Sequence, residues 1–203
     1  VSKLLPGHTR SFELDGGRSR TVRYWEPRFA VDKDHSSTYF VERLRWLLQD
    51  AVRMQMRSDV PVGAYLSGGL DSSLVTALAS RELGRPLDTF TGRFDEGPKF
   101  DESKYARMVA DRYGAHMHVI TPTENDFVDA MPTLAYHMDE PVAGPGLFPQ
   151  YMVSRHAVKH VKVALGGQGG DEIFGGYARY MVAYLEQALR GAMEGRAPIA
   201  AAS

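Results

Sequence analysis

The sequence predicts an α/β fold, with a mainly parallel, twisted sheet of the Rossmann-like kind and helices on both of its faces. Two observations carry this prediction. Short apolar runs at 62–66 and 161–165 each end abruptly in glycines, as buried strands of a parallel sheet do. Segments with the apolar spacing of helices separate these runs from two further strand candidates, which is the βαβ order of a parallel sheet.

The chain opens on residues 1–30, whose character is mixed. Asp15-Gly16-Gly17 predicts a hairpin tip and residues 21–25 are β-prone, so we expect small antiparallel strands or a connector from a preceding domain. A long helix is predicted at 38–56. Its apolar stripe, which we expect to pack on the sheet, comprises Phe40, Leu44, Leu47, Leu48 and Ala51.

The remaining elements alternate between helix and strand. Gly84 and Gly114 predict the ends of two helices, and residues 123–126 resemble a capping box that opens a third. In chain order we expect a helix at 72–83, a strand at 87–94, a helix at 101–113, a strand at 116–120, a helix from 123 to about 137, a loop at 138–149 and a helix at 150–160. The predicted inward face of the first of these helices comprises Leu70, Leu74, Ala77 and Leu78.

Composition narrows the classes of function. A net charge of -1 without a basic block argues against a nucleic-acid partner. Because the chain has no cysteine, disulfides, cysteine zinc sites and catalytic thiols are excluded. No apolar run approaches the roughly 18 residues of a membrane span and no signal peptide opens the chain, so we expect a cytoplasmic protein without a membrane partner.

The first candidate site is Ser67-Gly68-Gly69-Leu70-Asp71-Ser72, between a predicted strand and a predicted helix. Glycines allow close approach of the backbone to a ligand and a helix N-terminus attracts anions, so the stretch predicts a phosphate or pyrophosphate site. No lysine follows it, which excludes the Walker A loop. Asp71 beside a polyphosphate implies an intervening Mg²⁺ ion. The alternative is a plain turn in which Asp71 or Ser72 caps the helix.

A second glycine-rich stretch follows the strand candidate at 161–165. Residues 166–176 contain six glycines in eleven positions, which indicates that backbone must come close to another group. Asp171 and Glu172 lie where the next helix starts and are candidates for its cap. Alternatively, Asp171 faces Asp71 across the carboxyl edge of the sheet and completes a magnesium site.

The first stretch resembles the pyrophosphate loop of the ATP pyrophosphatase, or PP-loop, superfamily, with its adenine nucleotide alpha hydrolase-like fold. The second resembles the G-x-G-x-D-E-x-F-x-G-Y segment of asparagine synthetases, and the two in this order identify the chain as a member of the glutamine-hydrolysing asparagine synthetase family. The resemblance implies that residues 1–30, with Tyr24-Trp25-Glu26-Pro27, are a linker with edge strands after a glutaminase domain. Residues 31–203 would be the N-terminal part of the synthetase domain.

The resemblance implies an ATP-dependent asparagine synthase. The side-chain carboxylate of aspartate is adenylated with release of pyrophosphate, and ammonia from glutamine then displaces AMP. ATP and Mg²⁺ are the implied cofactors, and a homodimer is compatible with the family. The implied catalytic residues are Gln168, Asp71 and Asp171, of which the two aspartates hold the metal. The implied ATP-binding residues are Tyr65, Leu66, Ser67, Gly68, Gly69, Asp71, Ser72, Gly92, Gly166 and Gly167.

Two departures from the family pattern leave alternatives open. Many family members have glutamate at the position of Gln168, and a glutamine cannot serve as a base in the ammonia step. The acceptor is therefore aspartate or another carboxylate, on a peptide or glycan precursor. The chain also lacks the glutaminase domain and later synthetase segments, so we expect a fragment, and a non-catalytic ATP-binding module is the third interpretation.

Histidines form two candidate pairs. His116 and His118 share a strand face, and His156 and His160 are spaced i, i+4 on a predicted helix. No acidic or third histidine ligand lies near the first pair in sequence, and the second pair lacks the glutamate of zinc proteases. We therefore expect ordinary surface or core histidines. The loop with Asp139-Glu140-Pro141 resembles a segment that borders the substrate side in asparagine synthetases.

Overall fold

The computed structural model describes residues 2–28, 32, 34–94, 97, 101–139 and 144–195. It divides into two compact units, Val1–Arg45 and Trp46–Ser203. The first unit contains the strands β1 (His8–Phe12) and β2 (Ser19–Arg23), which pair in antiparallel register. Gly16 and Gly17 have positive φ between the strands, which confirms the predicted hairpin tip.

The helix α1 spans Ser37–Gln55, close to the predicted bounds. The expected burial of its apolar stripe is wrong in part, since Phe40, Leu44 and Leu47 are 42%, 39% and 45% exposed. The buried residue of this helix is Val52, which belongs to the same apolar cluster as Val62. The stripe is therefore continuous in sequence, but only its last turns contribute to a core.

The second unit contains a four-stranded, fully parallel sheet. Its strands are β3 (Val62–Tyr65), β4 (Asp88–Gly92), β5 (His116–Ile120) and β6 (Val163–Leu165), in the order β5-β4-β3-β6. Each neighbouring pair is parallel. The helices are α2 (Leu70–Leu83), α3 (Ser103–Tyr113), α4 (Glu124–Met138), α5 (Leu147–Ala157), α6 (Gly170–Phe174) and α7 (Ala178–Met193).

Apolar residues pack on both faces of this sheet, which confirms the predicted fold class. On one face, Leu66 of the loop after β3 packs with Ala106 and Ala110 of α3, and a neighbouring cluster includes Ala64. On the other face, Phe90 of β4 packs with Val153 and other residues of α5. Successive side chains of a strand thus pack on opposite faces of the sheet, as the pleated geometry of a strand requires.

Helix ends follow the predicted signals. Gly84 and Gly114 have φ of 65° and 63° and lie at the C-caps of α2 and α3. Thr123 and Asp126 form a reciprocal capping box at the start of α4. The predicted start of α5 at residue 150 is wrong, because the helix begins at Leu147. Pro149 is tolerated there because the first turn of a helix needs no N–H donor.

The inward face of α2 also differs from the prediction. Leu70 and Leu74 are 84% and 38% exposed, whereas the buried residues are Ser72, Thr76 and Ala79. Hydrogen bonds from Ser72 to the preceding loop turn this small, mostly polar face inward. Across the described ranges, no helix combines the length and apolarity that crossing a membrane requires.

Candidate functional site

The two glycine-rich stretches lie side by side at the carboxyl edge of the sheet. The strands β3 and β6 are adjacent and parallel, with Ala64 paired with Leu165. Each strand therefore delivers its following loop, residues 66–69 or 166–169, to the same edge. Crevices at the carboxyl ends of parallel strands are the usual ligand sites of open α/β sheets.

Hydrogen bonds within the first loop fix its shape. The Oγ atoms of Ser67 and Ser72 are 2.9 Å apart, and the Gly69 N–H donates to Ser67 Oγ at 3.2 Å. The Ser72 hydroxyl also donates to the carbonyl of Gly69. At the start of the loop, Thr91 Oγ1 donates to the carbonyl of Leu66 at 2.6 Å. The serines thus hold the loop closed onto the first turn of α2.

Gly68 occupies a position that favours glycine for two reasons. Its φ is +91°, a left-handed value that costs other residues free energy. A Cβ atom there would lie 2.8 Å from the carbonyl oxygen of Glu102 and 2.9 Å from the backbone nitrogen of Ala106. The loop is therefore pressed against the start of α3 by backbone contacts.

The N-terminus of α2 carries no side-chain cap. Its N-cap residue is Gly69, which has no side chain, and Asp71 lies in the first turn. The first amide groups of an α-helix lack partners within the helix, and the helix dipole adds partial positive charge there. The local arrangement suits an anionic group such as a phosphate. Asp71 is half-buried beside it.

The second loop packs directly on Asp71. A Cβ atom on Gly167 would lie 2.8 Å from both Asp71 Cβ and the backbone nitrogen of Ser72. A Cβ atom on Gly170 would overlap the carboxylate of Asp71. The two loops that the sequence separates by about a hundred residues therefore form one continuous site, and the glycines of the second loop make this contact possible.

Asp171 lies in the first turn of α6, the residue after Gly170. Its carboxylate faces the backbone of Gly176, where a Cβ atom would overlap it. Asp71 and Asp171 thus both follow strands of the same sheet edge, as predicted, and their joint coordination of a metal stays a prediction. Glu172 has a different partner: the Tyr177 hydroxyl donates to its carboxylate at 2.9 Å, and this bond raises the pKa of Tyr177.

Three other predicted nucleotide-binding residues have protein partners in the structure. Tyr65 forms a hydrogen bond with Ser154 of α5, with 2.9 Å between the two hydroxyl oxygens. The space beside Gly92 is bordered by Val153, whose Cγ2 would lie 3.2 Å from an added Cβ. Gly166 lies beside the Tyr65 ring, which an added Cβ would approach to 3.6 Å. Their contacts with ATP stay predictions.

Gln168 and Leu66 occupy different environments. Gln168 is exposed in the turn between β6 and α6. Leu66 is fully buried and packs with Ala106, so its side chain belongs to the core and its backbone alone faces the loop. The contact of Ser154 could not be predicted from the sequence, because nothing in its own helix marks it as the partner of a residue on β3.

Asp139 and its neighbours are only partly described. Asp139 ends α4 with φ of 58°, an uncommon left-handed value for a residue other than glycine. Glu140 and Pro141, the other residues of the segment that resembles a substrate-side motif, lie outside the described residues.

The histidines are grouped differently from the prediction. One residue of the strand pair, His118, lies with both His156 and His160 in a single cluster. Burial, and then the proximity of His160, lowers the pKa of His156. His116 stays outside this cluster and lies 3.9 Å from Asp88. The fold thus joins residues that sequence distance kept apart, and the expectation of ordinary surface or core histidines stays a prediction.

Comparison with known proteins places the chain in a family. The family model described as "Asparagine synthase" matches residues 43–202. The chain is 42% identical over 184 residues to a Mycobacterium tuberculosis protein whose name assigns it provisionally to the glutamine-hydrolysing asparagine synthetases, with 89% of this chain and 28% of that one covered. This chain belongs to the asparagine synthase family.

The chain is also similar to a second curated protein and to one solved structure. "Asparagine synthetase [glutamine-hydrolyzing] 1" of Bacillus subtilis is 37% identical over 182 residues, with 89% of this chain and 28% of that protein covered. A solved NH3-dependent NAD synthetase from Campylobacter jejuni aligns with a TM-score of 0.45 and 16% identity, covering 68% of this chain and 60% of that one. The chain spans 28% of the length of the two curated relatives.

Proposed function

We propose that this chain is the nucleotide-binding part of a glutamine-dependent asparagine synthetase. The observation that carries the proposal is the contact between the two glycine-rich loops, in which Gly167 and Gly170 pack on Asp71. In the proposed reaction a carboxylate oxygen of aspartate attacks the α-phosphorus of ATP and pyrophosphate leaves. Ammonia then attacks the activated carbonyl carbon and AMP leaves. Family membership and the two loops together support this assignment.

The first loop is proposed to hold the pyrophosphate of ATP. Gly68 and Gly69 remove side chains from the approach, and the uncapped start of α2 offers N–H donors and partial positive charge. These donors are held in place by the hydrogen bonds of Ser67 and Ser72, so little reorganisation is required when negative charge develops on the leaving group. Tyr65, Gly92, Gly166 and Gly167 are proposed to line the nucleotide.

The acidic residues fit a hard divalent cation. Carboxylate oxygens are preferred ligands of Mg²⁺, and Asp71 and Asp171 each lie in the first turn of a helix at the same sheet edge. When bound, the ion would neutralise charge on the departing pyrophosphate. Without a cation, the Asp71 carboxylate would repel a phosphate at the start of α2. Binding of the phosphate there therefore requires binding of the metal ion.

The proposal extends to partners outside this chain. Since the curated relatives are more than three times as long, a glutaminase domain preceding residues 1–30 is the proposed source of ammonia. Aspartate and glutamine are the proposed substrates besides ATP. Residues 31–203 are the proposed N-terminal part of the synthetase domain, the cytoplasm is the proposed compartment, and a homodimer is the proposed assembly.

Titration calorimetry with ATP tests the proposed nucleotide site. We expect binding that requires Mg²⁺ and that Asp71→Asn weakens by at least about tenfold, because losing even an indirect metal contact costs about 10–100-fold. Asp129→Asn, which removes an exposed carboxylate on α4, is the matched control and should bind as the unaltered protein does. Binding independent of Mg²⁺, or an equal loss in both variants, would contradict the proposal.

Gln168 favours a second candidate function, which is amidation of a carboxylate other than aspartate. A neutral side chain stands where many family members have glutamate, and it is exposed in the loop beside the proposed phosphate site. If the residue marks a lost base for the ammonia step, Gln168→Glu should raise amide formation relative to AMP release, by up to about 10²–10⁴-fold. The ratio is measured with the complete protein, glutamine, ATP and aspartate. A ratio that falls supports a different acceptor instead.

A further inference from the structure

We propose that His118, His156 and His160 form a binding site for a divalent transition-metal ion, with Zn²⁺ as the cation that fits it best. One ring nitrogen from each of the three residues lies within 4.8 Å of those from the other two. The site is separate from the proposed Mg²⁺ site, since it shares no residue with the glycine-rich loops. It therefore goes beyond the proposed function and does not depend on it.

The fold holds these residues together from two elements. His118 is the central residue of β5, on the sheet face that α5 covers. His156 lies in the last turn of α5, and His160 lies in the turn that follows, where the His160 N–H donates to the carbonyl of Ala157. Phe90 of the neighbouring strand β4 and Ala157 of α5 belong to one buried cluster, against which Ile120 of β5 packs, and this packing fixes the spacing of the helix and the strand. The cluster is thus built on a packed helix and strand.

The ring geometry is compact. The centroids of His118 and His160 are 4.1 Å apart, and those of His156 and His160 are 5.2 Å apart. Phe90 stacks on His118 with an interplanar angle of 16°, which limits rotation of that ring. Tetrahedral Zn–N bonds of about 2.0–2.1 Å place ligand nitrogens about 3.3 Å apart, so nitrogens that lie within 4.8 Å of one another need to approach by at most about 1.5 Å.

Asp88 supplies the orienting contact that metal-binding histidines commonly have. Its Oδ1 lies 2.7 Å from His118 Nε2. A carboxylate that holds one ring nitrogen of a histidine as N–H leaves the other nitrogen with its lone pair and increases its basicity as a ligand. Among the described residues, the ring nitrogens of His156 and His160 form no hydrogen bond within the chain, so their lone pairs are available for a cation.

The donor set selects the class of metal. Three imidazoles suit Zn²⁺ and its neighbours in the first transition row, whereas Mg²⁺ and Ca²⁺ prefer oxygen ligands. His160 is exposed and His118 retains 24% of its side-chain exposure, so an ion and a completing water molecule have access from solvent. Three protein ligands leave a fourth tetrahedral position for that water. The ion would clamp the end of α5 to β5.

The test uses the purified protein without a polyhistidine tag, stripped of metal and titrated with Zn²⁺ or Co²⁺ in excess Mg²⁺. We expect one equivalent of Co²⁺ to give the visible absorption of a tetrahedral nitrogen site, and Zn²⁺ to displace it. Zn²⁺ should also raise the melting temperature, because the assembled site binds the ion more tightly than the histidines of the unfolded chain do. His118→Gln, His156→Gln and His160→Gln should each weaken binding by at least about 100-fold, and Asp88→Asn by about 10–100-fold.

Two controls make the outcome decisive. His137→Gln changes a histidine on α4 outside the cluster and should leave Zn²⁺ affinity unchanged. Circular dichroism of each metal-free variant checks its folding, and the exposed position of His160 makes His160→Gln the least disruptive change. Binding that survives the loss of any one of the three histidines overturns the site. So does binding that disappears in Asp71→Asn, or the absence of one-equivalent binding by the unaltered protein.

Discussion

The substitution Gly167→Ala tests the contact between the two loops, on which the candidate site depends. An added Cβ would lie 2.8 Å from Asp71 Cβ, 2.8 Å from the Ser72 nitrogen and 2.9 Å from the Asp71 carbonyl carbon. Two of these neighbours are backbone atoms at the start of α2, which cannot rotate away as a flexible side chain does. The backbone of one loop must therefore move.

Crowding of this kind costs about 1–3 kcal/mol in packed regions. For a protein of this size each kcal/mol corresponds to a change in melting temperature of about 2–4 °C. Differential scanning calorimetry without ligand measures this loss. Titration with ATP and Mg²⁺ then shows whether a loop that has moved still leaves Asp71 in place, since relief of the clash by loop movement would weaken nucleotide binding.

Gly166→Ala is the matched control in the same loop. Its added Cβ would meet the Tyr65 ring at 3.6 Å, an ordinary contact, and its φ is outside the left-handed region. Alanine at such a position reduces the entropy of the unfolded chain, so we expect stability unchanged or raised by about 0.4–1 kcal/mol. If Gly167→Ala is as stable as Gly166→Ala, the proposed contact between the loops is refuted.

Three further predictions concern the stability of helix α4 and of the buried core. Thr123→Ala should lower the free energy of unfolding by about 1 kcal/mol in urea denaturation, because it removes the capping box of α4. The hydrogen bond from the Thr123 hydroxyl lowers the pKa of the Asp126 carboxylate. The stabilisation from this carboxylate is therefore present above about pH 4 and is lost as pH falls through the lowered pKa. The difference in free energy of unfolding between the unaltered protein and Asp126→Asn should accordingly shrink below about pH 4. Phe90→Ala should cost about 3–5 kcal/mol in the same denaturation assay, whereas exposed Tyr136→Ala should cost little, and equal losses would contradict the assigned core.

The sequence was most informative where local chemistry determines structure. The runs at 62–66 and 161–165 predicted strands β3 and β6, because apolar segments bounded by glycine have few other solutions. The capping box at Thr123 and the glycine at 84 were predictable because both satisfy backbone groups within a few residues. The start of α2 was not predicted correctly, because the helix begins at Leu70 with Gly69 as its N-cap and not at residue 72.

Contacts between residues that lie far apart in the sequence could not be predicted from it. Side-chain pairs such as Tyr65 with Ser154, and the cluster of His118 with His156, depend on how α5 lies on the sheet. Apolar spacing also misplaced the buried face of α2, where hydrogen bonds of Ser72 outweigh the position of Leu70. Spacing rules describe one element at a time, whereas these features join two elements.

A crystal structure with a non-hydrolysable ATP analogue and Mn²⁺ in place of Mg²⁺ tests the central claim most directly. Anomalous scattering locates the Mn²⁺ ion without reference to the rest of the density. The proposed site predicts phosphates at the start of α2 and an ion at about 2.1–2.2 Å from carboxylate oxygens of Asp71 and Asp171, or from waters that they hold. Phosphates at another edge of the sheet, or an ion remote from both aspartates, would contradict it.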